Sequence, residues 1–259
     1  MNNITIEDLE RFVQVVEDAV KAIDHHFEHP KFVCLEGSEF FRHDNDKKND
    51  LLMSYLKCVI SVSHLNACIV LLRNGYVQEI GTLCRCVEDN SNDVWFLNSP
   101  LGDDGKLNKQ QERSVKEFFQ EDFVNGDPAN SIQPRDRVPR QKVHAEIARR
   151  GKPKNPHDAK RSLDRMHKVF SGFVHDAYVR IMDMYGGSSW EECCYHLHGF
   201  LGTPKIPEWT IFLSRTVYGL MLTITGVATR CNDSEVVKEL WRQIEEFEKA
   251  TGIRGRNNR

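Results

Sequence analysis

The sequence predicts an all-α fold, a helical bundle of about seven to eight helices with a few irregular connections. Apolar residues recur at intervals of three and four over long stretches, and the period-2 alternation of strands survives only in short pieces. Helix start and stop signals punctuate these stretches at sensible lengths. No unit recurs at a fixed period, which favours a bundle over a solenoid.

The first helix begins at Thr5, with Asp8 three residues on as a capping-box partner. Leu9, Phe12, Val13, Val16, Val20, Ile23 and Phe27 then fall on one face, and His29-Pro30 ends it. Residues 31–44 read as a loop around Gly37. A second helix spans Asp46 to Asn74, and its later half is apolar nearly all round, the mark of a buried central helix. Asn74-Gly75 stops it, and a third helix from Tyr76 to Asn98 follows at once as an antiparallel neighbour. Its inward set is Val77, Ile80, Leu83, Cys84, Val87, Val94, Trp95 and Leu97.

Residues 99–106 form a Gly/Asp loop, and a more polar helix runs from Asn108 to Phe123. The Pro- and Arg-containing stretch 124–140 reads as a surface loop. A short basic helix covers Gln141 to Arg150. Asn155 caps the next helix with Pro156 in its first turn, and its pattern continues to Tyr185. Residues 188–206 are irregular. Pro207 opens an apolar helix ending near Cys231, and Asp233 or Ser234 caps a last one that stops at Gly252. The organisation expected is one helical domain over 1–259, with its core within 45–230 and a frayed basic tail at 252–259.

The chain has 259 residues, 40 % hydrophobic and 28 % charged, with a net charge of −3. That balance supports a sizeable core and gives no global bias toward polyanions. No uninterrupted apolar run of about 18 residues occurs, so no membrane span is expected. The start lacks a basic region followed by an apolar run, so no secretory signal is expected either. Eight cysteines without a Cys-x-x-Cys pair read as reduced thiols, and the expected location is the cytoplasm. Phosphate-loop, dinucleotide, zinc-protease and nucleophile-elbow signatures are absent.

Several constellations can carry chemistry. Arg85 and Glu88 lie three apart at the edge of the third helix's buried stripe, either as a surface ion pair or turned into a polar pocket. His167, Ser171 and His175 are spaced four apart on one side of their helix, with Asp164 and Tyr178 nearby. Two histidines, a hydroxyl and a carboxylate suit general acid–base work. His175, beside Phe173 and Val174, is expected to be buried, as a tuned acid–base or as a hydrogen-bonded tie. Arg161 and His167 fit the Arg-x(4–6)-His pattern of helical ribonucleases, in which Arg holds the phosphate and His moves the proton. Arg137/His144 and Arg150/His157 fit it too, so the pattern is loose.

Cys193-Cys194-Tyr195-His196-Leu197-His198 is dense in metal-type ligands but has no chelating spacing, and no metal or cofactor is expected. His25, His26 and His29 at a helix end read as surface residues favoured by the helix dipole. Residues 135–165 carry the one local excess of positive charge, a candidate RNA track or a contact for a protein partner.

Leu71-Leu72-Arg73-Asn74-Gly75, Arg85-Cys86-Val87-Glu88 and Phe170-Ser171-Gly172-Phe173-Val174-His175 resemble a bacterial group of helical proteins of unknown function, over about residues 45–230. That group is similar to the HEPN class of helical bundles, common in toxin–antitoxin, abortive-infection and other antiviral systems. The resemblance implies an all-α bundle, frequent dimerisation, and metal-independent ribonuclease action in catalytic members. It marks Arg85, Glu88 and His175 as the polar positions. Ser162 follows Arg161 where catalytic members of the class carry Asn or Asp. The expected function is thus a HEPN-like domain in a defence or stress setting that binds or cleaves RNA. The alternatives are a non-catalytic adaptor working through protein contacts, with Arg85, Glu88 and His175 as a buried register network, and an enzyme acting on a small molecule between helices.

Overall fold

The structure is a computed structural model that describes residues 4–35, 38–98, 106–120, 135–151, 154–201 and 203–253. The all-α bundle holds. Its helices are α1 (Ile6–Ile23), α2 (Asp50–Arg73), α3 (Val77–Asn98), α4 (Lys109–Phe118), α5 (Arg140–Arg150), α6 (Pro156–Val174), α7 (Tyr178–Ile181), α8 (Ile206–Arg230) and α9 (Ser234–Thr251).

The helix ends follow local chemistry. Thr5 accepts from the Asp8 backbone and the Asp8 carboxylate accepts from Thr5, a complete capping box on α1. Asn49, Asn108, Asn155 and Asp233 cap α2, α4, α6 and α9 with side-chain oxygens, each satisfying backbone N–H groups that a helix start leaves unpaired.

The core reaches beyond the expected 45–230. One cluster joins Phe12 and Val16 of α1, Leu65 of α2, Ile80 of α3, Leu213 and Ile224 of α8, and Leu240 and Phe247 of α9. Phe12 and Phe247 meet edge to face at 4.7 Å, tying α1 to α9. The expected core follows the extent of the family resemblance, which leaves out both outer helices. Each nonetheless presents a single apolar face whose centre is buried in the core. A second cluster, Met53, Phe96, Leu97 and Val143, seats α5 against the ends of α2 and α3.

α2 and α8 are long and apolar enough to cross a membrane by length and composition, which the uninterrupted-run criterion did not register. In the bundle they are its central helices, each packed against α1 and α3.

Three other expectations change. Residues 31–44 contain a β-hairpin, β1 (Lys31–Leu35) with β2 (Ser38–Arg42), antiparallel with Phe32 opposite Phe41; Gly37 lies outside the described residues. The pair is too short to show a period, and Phe32 and Phe41 meet edge to face while staying exposed. A second short pair, β3 (Tyr185–Gly186) with β4 (Cys194–Tyr195), follows α7. The helix expected to reach Tyr185 ends at Val174. There the Ala177 N–H reaches back to the Gly172 carbonyl at 2.9 Å and Asp176 takes a left-handed φ of 48°. Val174, Tyr178 and Ile181, placed inward by the continued period, are exposed beyond this stop. Of the expected loop 124–140, residues 124–134 lie outside the described residues, and Arg140 already belongs to α5.

Candidate functional site

α3 carries the site because three of its neighbours approach one stretch of it. Gly81 lets α6 come close: a Cβ there would stand 2.4 Å from the Phe173 ring. Further along the helix, Glu88 and Asn92 line a space between α3, α5, α6 and α8, while Arg85 and Asp89 turn toward His167 of α6.

Arg85 pairs with Asp89, not with Glu88. Its Nε donates to Asp89 Oδ2 at 2.6 Å, its Nη1 to the His167 carbonyl at 2.5 Å, and its Nη2 to His167 Nε2 at 2.8 Å. Because a guanidinium only donates, His167 Nε2 must present its lone pair, and the ring proton sits on Nδ1. That Nδ1 lies 3.5 Å from Asp89 Oδ1. Burial, then the Arg85 charge, holds the His167 pKa below its ordinary value, consistent with a neutral ring.

α5 extends the network. Arg140 Nη1 donates to Asp93 at 2.5 Å and its Nε lies 3.5 Å from Asp89; Lys57 of α2 meets Asp93 at 2.8 Å. His144 is 1 % exposed, its Nδ1 lies 2.8 Å from Asp164, and its ring meets the His167 ring edge to face at 5.5 Å. Burial lowers the His144 pKa against the opposing pull of Asp164. Among the described residues, Asp89 Oδ1, His144 Nε2 and His167 Nδ1 are buried without a hydrogen-bond partner.

Glu88 points the other way, into a cavity of about 380 Å³. Apolar side chains from four helices wall it, among them Trp95, Ile147, Met166, Phe170 and Phe212. Trp95, expected inward, is 39 % exposed because this cavity lies in front of it. The Glu88 carboxyl has no ion-pair or hydrogen-bond partner among the described residues. Burial first, and the Asp89 charge second, push its pKa up to about 7, against the opposing pull of Arg85. Arg215 of α8 lies at the exposed rim without a partner among the described residues. Gly219 is also in the wall, and nothing lies within 4 Å of where its Cβ would stand.

The remaining sequence candidates do not join this site. Arg161 is exposed and pairs with Asp158 one turn away. His175, expected buried, is the exposed C-cap of α6, because the helix stops there. Among the described residues the Ser171 and Tyr178 side chains form no hydrogen bond to Arg85, Asp89 or His167, and Asp164 serves the network through His144. His196 stacks on Phe200 at 3.9 Å and bonds the Gly186 carbonyl at 2.9 Å, and the Cys193–His198 ligand types do not converge.

The basic segment is partly neutralised, with pairs of arginines sharing single glutamates. Arg135 and Arg137 meet Glu117, Arg149 and Arg150 meet Glu146, and Lys160 meets Asp164. Lys142, Lys154 and Arg165 are its members without an acidic partner among the described residues.

Sequence reasoning missed Asp89, Arg215 and Gly219, and it met His144 only in the Arg137 pattern and Arg140 only within the basic segment 135–165. Asp89 stands four residues after Arg85, ideal for an intrahelical pair, and that spacing alone was the available signal. No family model, curated protein or solved structure matches the chain.

Proposed function

We propose that this chain is a HEPN-like helical domain that works by binding and not by cleaving RNA. Its ligand is a small, largely apolar molecule with a hydrogen-bond acceptor at one end and an anionic group at the other, held in the cavity beside Glu88. The observation that carries the reading is a carboxyl, Glu88, without a partner among the described residues, lining an apolar cavity bordered by Arg215, which also has none among them. Such a cavity with few convergent polar groups is the usual form of a small-molecule site, and its volume lies near the small end of that range, about 300–1,000 Å³. Glu88 in its protonated form donates to the buried acceptor, and Arg215 meets the anion at the rim. Gly219 supports the same placement, since a glycine within a 25-residue helix costs about 1 kcal/mol against alanine and here leaves the cavity wall open.

A second reading, phosphodiester cleavage, draws on one observation, the Arg85–His167 contact at 2.8 Å. An arginine and a histidine in contact are the pair such cleavage uses. In this arrangement the His167 lone pair that would accept a proton is already occupied by Arg85, and Arg85 is spent on Asp89. These contacts tie α3 to α6, through Asp89 and His167 in place of the Glu88 and His175 expected for a register network.

The test is titration with 1-anilinonaphthalene-8-sulfonate, an apolar aromatic anion whose fluorescence rises in apolar sites. Wild type binds one equivalent saturably, and Gly219→Phe, which fills the cavity without a clash at its Cβ, loses at least tenfold in affinity while unfolding normally in urea. Equal binding by the two proteins would remove the cavity from the proposal. RNA cleavage that Arg161→Ala leaves intact and His167→Ala abolishes would put the second reading first.

A further inference from the structure

A different part of the molecule carries a second site. Where α1 ends, residues 24–26 form one turn of 3₁₀-helix that brings His25 and His26 beside the start of α9. One ring nitrogen of His25, one of His26 and one carboxylate oxygen of Asp233 all lie within 4.8 Å of one another. Among the described residues this is the one group of three metal-type ligands so placed.

The hydrogen bonds around it prepare the ligand atoms. His25 Nδ1 lies 2.7 Å from the Ala22 carbonyl, which can only accept, so Nδ1 carries the proton and the Nε2 lone pair is free. A backbone carbonyl fixing the outer nitrogen is the usual support of a metal-bound histidine. The two imidazole rings lie side by side, 3.9 Å apart and tilted by 39°. Asp233 divides its oxygens: Oδ1 caps α9 through the Val236 N–H at 3.1 Å, and Oδ2 receives His26 Nε2 at 3.0 Å. A cation bound about 2.0–2.2 Å from each of that pair needs only a small widening of their 3.0 Å separation.

We infer that His25, His26 and Asp233 form a site for a zinc-like divalent cation that clamps the end of α1 to the start of α9. Two imidazoles with one carboxylate suit Zn²⁺ over Mg²⁺ or Ca²⁺, which prefer all-oxygen shells. The fourth tetrahedral position falls to water. Binding uses the Nε2 lone pair of a neutral ring, so the proton now on His26 Nε2 moves by way of solvent to Nδ1, and Asp233 Oδ2 turns from it to the metal. The carbonyl end of α1 favours the cation, and the Asp233 carboxylate offsets the positive field at the start of α9. Asp24 sits alongside with its Oδ1 accepting from the Tyr55 hydroxyl at 2.5 Å and its Oδ2 3.9 Å from His29, and so does not compete for the site. α1 and α9 also pack together through Phe12 and Phe247, so the clamp reinforces an existing seam.

The test is calorimetric titration of the full-length reduced chain with Zn²⁺, wild type beside His25→Ala, His26→Ala and Asp233→Asn. Asparagine retains the α9 cap, so Asp233→Asn keeps the fold while removing the anionic ligand. One equivalent in wild type, and at least tenfold weaker binding in all three variants, is the expected result. Co²⁺ in place of Zn²⁺ should give tetrahedral visible absorption in wild type and lose it in the variants. Zn²⁺ binding unchanged in the variants would place the ion on the cysteine thiols and overturn the inference, as would the lack of any binding by wild type.

Discussion

Glu88→Gln turns the unusual state of one carboxyl into a stability measurement. In the folded chain the group ionises at about 7, against an ordinary value of 4.5. The folded state therefore holds a proton that the unfolded chain releases through this window. The stabilisation is fully present below about pH 4.5 and is lost as pH rises through about 7. Each pH unit between the two values is worth ~1.4 kcal/mol, so the full effect is bounded at ~3 kcal/mol, and partial contact with solvent brings the expectation to ~1–3 kcal/mol. Glutamine matches the shape of the protonated acid and cannot ionise. Urea unfolding of both proteins from pH 4 to pH 8.5 should give near-equal stability at pH 4. At pH 8.5 the variant should be more stable by ~1–3 kcal/mol, with the difference growing between about pH 4.5 and 7 and constant above that. A constant difference across the range, or a variant that is less stable at pH 8.5, would mean that Glu88 is solvated or paired and would refute the reasoning.

Other perturbations follow from the same geometry. Arg85→Ala leaves Asp89 and His167 without their shared donor in a half-buried site; urea unfolding should show a loss of ~2–4 kcal/mol, and NMR titration should show the His167 pKa rising as the Arg85 charge is removed. Gly219→Ala should raise stability by ~0.5–1 kcal/mol in the same assay, because helix propensity improves and nothing stands near the new methyl. Gly81→Ala should do the reverse, with a loss of ~1–3 kcal/mol and a displaced Phe173 ring visible in its NMR signals, because the new Cβ stands 2.4 Å from that ring. Arg161→Ala should change stability by less than ~0.5 kcal/mol, as its one ion pair is exposed.

The bundle was legible in the sequence because helix period and capping are local signals. Thr5, Asn155 and Asp233 cap where the pattern placed them, since a cap needs only its own first turn. The β-hairpin was not legible, because a five-residue strand shows too few alternations and Phe32 and Phe41 bury little. The site was half legible. Arg85, Glu88 and His167 all lie where side chains matter, but their partners come from elsewhere in the chain. Arg85 chose Asp89 and His167 over Glu88, and the contact from Arg85 to His167 spans 82 residues. His144 and Arg215 reach the site only through the packing of α5 and α8 on α3, which no local spacing encodes. Arg161 and His175 were selected by spacing along an idealised helix, and the stop at Val174 removed His175 from the buried face.

The cavity beside Glu88 is tested most directly by methyl NMR of the labelled chain titrated with 1-anilinonaphthalene-8-sulfonate. Ile147, Leu163 and Met166 line that cavity, while Val15, Val236 and Leu240 line a separate groove between α1 and α9. Binding in the functional site shifts the first three signals and leaves the second three unmoved, with the shifts abolished in Gly219→Phe. Shifts confined to Val15, Val236 and Leu240, or no saturable shift at all, would contradict the assignment of function to this cavity.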